Sequence, residues 1–179
     1  YFVSGLLGAG MIATGSMLWA KKRITLLKGA PPPMSLTFVQ RANLGTIVGL
    51  PLGCVAYFWA NRLLPLDLAD RAEWEIHCLF VVWGLSFAHA GARELRRAWR
   101  EQVGLLAALC VSLPLLNAVT TDTHLGVSVV QGDWTRAGFD LAALTFGLLL
   151  FAIWPRLTQP APSSAPALSD KPIASKATA

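Results

Sequence analysis

The sequence predicts an all-α integral membrane protein of about five transmembrane helices with no soluble domain. Two observations of composition point there. The chain is 54% hydrophobic and only 14% charged, with a mean hydropathy of +0.51, whereas a soluble domain carries about 25% charged residues. The third observation is arrangement: charges gather between long uncharged runs, and about 20 apolar residues in a helix suffice to cross ~30 Å of hydrocarbon. The net charge of +5 therefore matters through where the charges lie, and gives no reason to expect a nucleic acid partner.

Taken in order, the first span covers about 1–20. Its basic cluster, Lys21-Lys22-Arg23, follows the apolar run instead of preceding it, the reverse of a signal peptide. The run opens without an initiator Met, so the chain is expected to be the C-terminal part of a longer protein. Pro31-Pro32-Pro33 forms a stiff extended connector. The second span, about 42–60, contains Pro51, which frees a backbone carbonyl and predicts a local kink. The third, fourth and fifth spans cover about 74–92, 103–120 and 138–155. The helical domain thus ends at 155, and residues 156–179, rich in Pro, Ala and Ser, are expected to be a disordered cytoplasmic tail.

Orientation follows from the basic residues. Twelve of the 15 fall in segments 21–41, 93–102 and the tail, against Arg62, Arg71 and Arg136 on the opposite side. The positive-inside bias places the richer side, and the C-terminus, in the cytoplasm. Trp59, Trp74, Trp99, Trp134 and Trp154 lie near span ends and read as interfacial anchors.

Three spans carry small residues at spacings of four: Gly5, Ala9 and Ala13; Gly45, Gly49 and Gly53; Gly84, Ala88 and Ala92. Each set lies on one helix face, where another backbone or a flat ligand can come close. Cys54, Cys78 and Cys110 fall inside apolar runs and read as small buried hydrophobes, with neither a disulfide framework nor a zinc site. Asn117 is a polar residue within a span and is expected to bond a neighbouring helix. No Asp, Glu, Lys or Arg stands in mid-span, which counts against a proton-coupled transporter.

The stretch WEIHCLFVVWGLSFAHAGA holds His77 and His89, 12 residues apart. A rise of about 18 Å puts one near each face of a bilayer, and about 120° separates them around the helix, so each needs its own partner. Neutral imidazole ligates haem iron, and two haems at two depths would form a conduit for electrons. The plainer alternatives are an interfacial His77 beside Glu73 and Glu75, and a His89 favoured by the negative end of its helix. His124, in the outer loop or at the outer end of the fourth span, is either a partner of His77 or an ordinary loop residue; with Asp122 alone it makes no specific metal site.

The ordered strings YFVSGLLGAGMIATGSMLWAKKR, QRANLGTIVGLPLGCVAYFWANRLLP, WEIHCLFVVWGLSFAHAGARELRRAWREQ and LPLLNAV resemble the PepSY-associated transmembrane proteins of bacteria, over roughly 1–155. That family includes iron-regulated inner-membrane proteins and reductases of ferric siderophores. The resemblance implies a multi-pass protein of the bacterial inner membrane, linked to iron uptake. It also implies b-type haem between helices and periplasmic PepSY-type domains upstream. Family members commonly have a histidine just before the position of Tyr1, so axial partners for the candidate haem ligands His77, His89 and His124 are expected outside this sequence.

The expected function is passage of electrons from an external donor, across haem b, to a ferric siderophore at the outer face. The alternative is a non-catalytic anchor or scaffold for periplasmic domains or a transporter, with the lipid bilayer as its main partner and homo-oligomers possible. Nothing resembles a flavin or nicotinamide site.

Overall fold

The computed structural model describes residues 1–121 and 132–158. His124 and the tail from residue 159 lie outside them. Six helices are present among the described residues: α1 (Phe2–Leu26), α2 (Met34–Ile47), α3 (Gly49–Leu63), α4 (Arg71–Ala92), α5 (Leu95–Thr120) and α6 (Trp134–Thr158). With α2 and α3 counted as one segment, five are long and apolar enough to cross a membrane, and no strand occurs among the described residues. The chain is an all-α, multi-pass membrane protein.

The helices outrun the apolar segments. α1 continues through Lys21-Lys22-Arg23, α6 continues past Pro155 to Thr158, and only Arg93 and Glu94 separate α4 from α5. Much of what reads as basic loop is therefore helix. Lys, Arg, Glu and Gln favour helix, and their stems lie along apolar surface while the heads reach water. α1 stops where Lys28 (φ 48°) and Gly29 (φ 92°) turn left-handed. The three prolines then stay extended, and Pro33 (φ −63°, ψ 154°) caps α2.

The expected kink is present. The break between α2 and α3 falls at Val48 (φ −104°, ψ −40°), three residues before Pro51, whose ring excludes the carbonyl of Ile47 one turn back.

Of the three small-residue faces, one is used. A Cβ on Gly45 would lie 2.5 Å from the Phe87 ring. On Gly49 it would lie 2.0 Å from Ser86 Oγ and 2.9 Å from Ser86 Cβ, and on Gly53 2.9 Å from the Leu79 carbonyl oxygen. α2 and α3 thus lie directly on α4. The other two faces point away from the bundle: a Cβ on Gly5 or Gly84 meets nothing within 4 Å, and Ala9, Ala88 and Ala92 are exposed. A further close approach joins α6 to α5, where a Cβ on Gly147 would come within 2.7 Å of Val111 Cγ2.

α5 is the central helix, touching α2, α3, α4 and α6, whereas α1 lies alongside α2 alone. Leu44, Val48, Leu52, Leu106 and Cys110 form the middle of the core. Of the cysteines only Cys110 is buried; Cys54 is exposed. The tryptophans also divide. Trp74 and Trp134 are exposed near helix ends, as anchors are. Trp59 instead reaches inward and donates to the Leu109 carbonyl (3.3 Å), and Trp154 donates to that of Arg100 (3.0 Å).

Gly53→Ala should lower unfolding stability by about 1–3 kcal/mol, because the clash is with backbone that cannot rotate away. Gly84→Ala, on an open helix face, should be neutral or stabilising by up to about 1 kcal/mol. Unfolding in detergent measures both; equal effects would mean that α3 and α4 do not meet as described.

Candidate functional site

The contact through Gly45, Gly49 and Gly53 fixes the rotation of α4, and with it the place of each histidine. Leu79, Trp83, Ser86 and Phe87 face α2 and α3. At ~100° per residue, His77 and His89 fall on opposite flanks, each roughly 120° from Trp83. The structure does not bring them together.

His77 lies on the uncovered flank. Its Nδ1 is 2.6 Å from the Glu73 carbonyl oxygen, so Nδ1 carries the hydrogen and donates it. This leaves Nε2 as a bare acceptor, without a partner among the described residues. The Trp74 ring lies 5.8 Å away, centre to centre. Gly84 and Gly91 follow His77 at intervals of seven along the same flank, and a Cβ on either meets nothing within 4 Å.

His89 lies on the flank toward α5, and both of its nitrogens are engaged. Nε2 is 2.8 Å from Glu101 Oε2, and Nδ1 is 3.3 Å from Gln102 Nε2. Gln102, 3% exposed, also donates to the Ser86 carbonyl at 2.8 Å. The two amide hydrogens account for both Gln102 bonds, which makes His89 Nδ1 an acceptor and Nε2–H the donor to Glu101. Arg93 Nε stands 3.5 Å from the same carboxylate oxygen. A ring held on both sides cannot ligate iron until Glu101 lets go.

Two further polar clusters tie helices together at the opposite end. Glu75, 6% exposed, pairs with Arg71 Nε at 3.3 Å and accepts from Asn61 Nδ2 at 3.0 Å. Arg71 also donates to the Asn61 carbonyl. Asn117 finds its partner in Asp140: Nδ2 donates to Oδ1 at 2.5 Å, with the residues 5% and 4% exposed. A carboxyl group inside the bundle departs from the expectation of apolar spans. Asp140 stands about two turns into α6 and turns inward to α5 instead of outward to the headgroups.

The sequence reading missed Glu101, Gln102 and Asp140. For Asp140, hairpin symmetry holds a signal that could have found it; Glu101 and Gln102 show only once α4 and α5 are packed. Asn117–Asp140, Gly104–Trp154 and Cys110–Gly147 are all centred near residue 128, as antiparallel neighbours must be. Among the described residues, no three His, Cys, Asp or Glu side chains converge on a metal-sized site. No family model, curated protein or solved structure matches the chain.

Asn117→Leu and Asp140→Leu should each cost about 1–3 kcal/mol, since each strands a buried polar partner. The double variant should cost less than the two together by about 1–2 kcal/mol. Strict additivity in an unfolding cycle would mean that the pair is not bonded in the membrane.

Proposed function

We propose that this chain is the membrane part of a haem-dependent reductase of the PepSY-associated type. It stands in the bacterial inner membrane with its arginine-rich end and C-terminus in the cytoplasm, and His77 is the residue that would hold a b-type haem. The observation that supports the reading is the His77 ring. Glu73 holds its Nδ1, its Nε2 is open, and Gly84, about 10 Å along the same flank, leaves room for a flat ligand. A metal-ligating histidine characteristically has its second nitrogen bonded to a carbonyl or carboxylate, which fixes tautomer and direction.

The residues present fit half of a bis-histidine site. No described histidine faces His77, so the second ligand comes from outside the described residues, with His124 one candidate. His89 does not fit that role while Glu101 and Gln102 hold its ring. Haem held at His77 would supply one-electron chemistry near the outer face. The chain's own contribution is to orient the imidazole and to keep its flank open. The ferric siderophore as substrate rests on the resemblance of the four strings alone; reduction to Fe(II) weakens its hold by hard oxygen ligands. The electron donor is external.

A second reading, a scaffold that assembles with other helices, is favoured by α1. Gly5, Gly8, Gly10 and Gly15 all meet open space, a surface suited to close helix association.

Reduced-minus-oxidised absorption spectra of the purified full chain, produced with ample haem, separate the two. The b-type bands should vanish in His77→Ala and persist in His89→Ala. Well-folded protein without haem, or bands indifferent to His77→Ala, would leave the scaffold.

A further inference from the structure

At the basic end, α1, α2 and the first turns of α5 enclose a groove of about 250 Å³. We propose that it binds the phosphate headgroup of an anionic phospholipid. The inference is independent of the haem reading.

Four polar side chains line the groove: Lys21 from α1, Gln40 and Asn43 from α2, and Trp99 from α5. None of the four has a side-chain hydrogen bond or ion pair within the protein among the described residues. All four can donate a hydrogen bond. The ammonium and the indole N–H only donate, and each carboxamide can present an NH₂. No carboxylate lines the groove. The acidic residues close in sequence to Trp99 are already occupied: Glu94 pairs with Arg97 at 3.4 Å, and Glu101 with His89 and Arg93. What remains is a donor-rich site under a positive field, complementary to phosphate oxygens.

The rest of the lining selects a lipid over a free anion. Met17 lies one turn deeper along α1 than Lys21, and Leu95 also lines the groove, so the site joins an apolar wall to a cationic one. The groove also lies where the spans end, with Lys22, Arg23, Arg96 and Arg97 close in sequence to its lining residues. Basic pockets between helices at such a level recognise anionic headgroups. A fully hydrated anion gains nothing from Met17 and Leu95; a phospholipid, whose phosphate is continuous with glycerol and acyl chain, uses both walls.

The test is native mass spectrometry of the full chain, released from detergent and titrated separately with phosphatidylglycerol and phosphatidylcholine. Phosphatidylglycerol should bind about fivefold or more tightly than phosphatidylcholine, in line with the worth of one well-placed cation. Lys21→Gln should remove most of that preference, and Lys21→Arg should keep it. Lys28→Gln, which removes an equal charge outside the groove, should also keep it. Three results would overturn the proposal. They are equal retention of the two lipids, equal loss in Lys21→Gln and Lys28→Gln, and displacement of phosphatidylglycerol by inorganic phosphate at matched concentration. The last would assign the groove to a soluble anion.

Discussion

Everything chemical in this bundle depends on one close approach, that of α2 and α3 to α4 across Gly45, Gly49 and Gly53. In lipid there is no hydrophobic force to bring helices together, because the surrounding tails are as apolar as the side chains. Contact must come from shape, and three glycines on one face supply it by letting backbone meet Ser86 and the Leu79 carbonyl directly. A contact that tight has one rotational setting. It turns Trp83 inward, where its indole donates to the Gly45 carbonyl at 3.0 Å, and it assigns the flanks. His77 goes to the open side and His89 to the side of α5.

The polar side chains obey a second constraint, that a donor or acceptor removed from water needs a partner. The chain meets it helix pair by helix pair. Asn61, Arg71 and Glu75 join α3 to α4; His89, Glu101 and Gln102 join α4 to α5; Asn117 and Asp140 join α5 to α6. Each cluster sits toward an end of its helices, where some water access lowers the cost. The middle of the bundle is left to Leu52, Leu106 and Cys110. Polar contacts at the ends specify which helices are neighbours, and glycines in the middle specify how close they come.

These two constraints also explain what was legible in the sequence. The fold class, the kink before Pro51 and the extended prolines are local or compositional, and they could be read directly. The face of Gly45, Gly49 and Gly53 could be read as a packing face, but so could those of Gly5 and Gly84. Nothing within a single helix says which has a partner. That the helices extend beyond the apolar spans was hidden for a related reason. A run such as Arg96-Arg97-Ala98-Trp99-Arg100 looks like a connection when only hydropathy is considered, yet α5 begins at Leu95. Asp140 was passed over because a carboxylate near a span end is ordinarily an interfacial group. Its significance appears only with Asn117 opposite.

The contrast between the two histidines is the last consequence of the packing. A face of Phe80, Val81 and Leu85 left open to lipid needs no explanation, since hydrocarbon is a fair substitute for a neighbour. An imidazole on that face does need one. Trp74 stands three residues, just under one turn, before His77 near the start of α4, so His77 lies only about 5 Å further along the helix. At that depth the Glu73 carbonyl satisfies one ring nitrogen and leaves the other facing outward. His89 has no such vacancy: Glu101 and Gln102 close its ring on both sides. Symmetry of position along one helix therefore conceals an asymmetry of chemistry. At one end of α4 a ring nitrogen stands without a partner among the described residues, and a satisfied polar staple stands at the other.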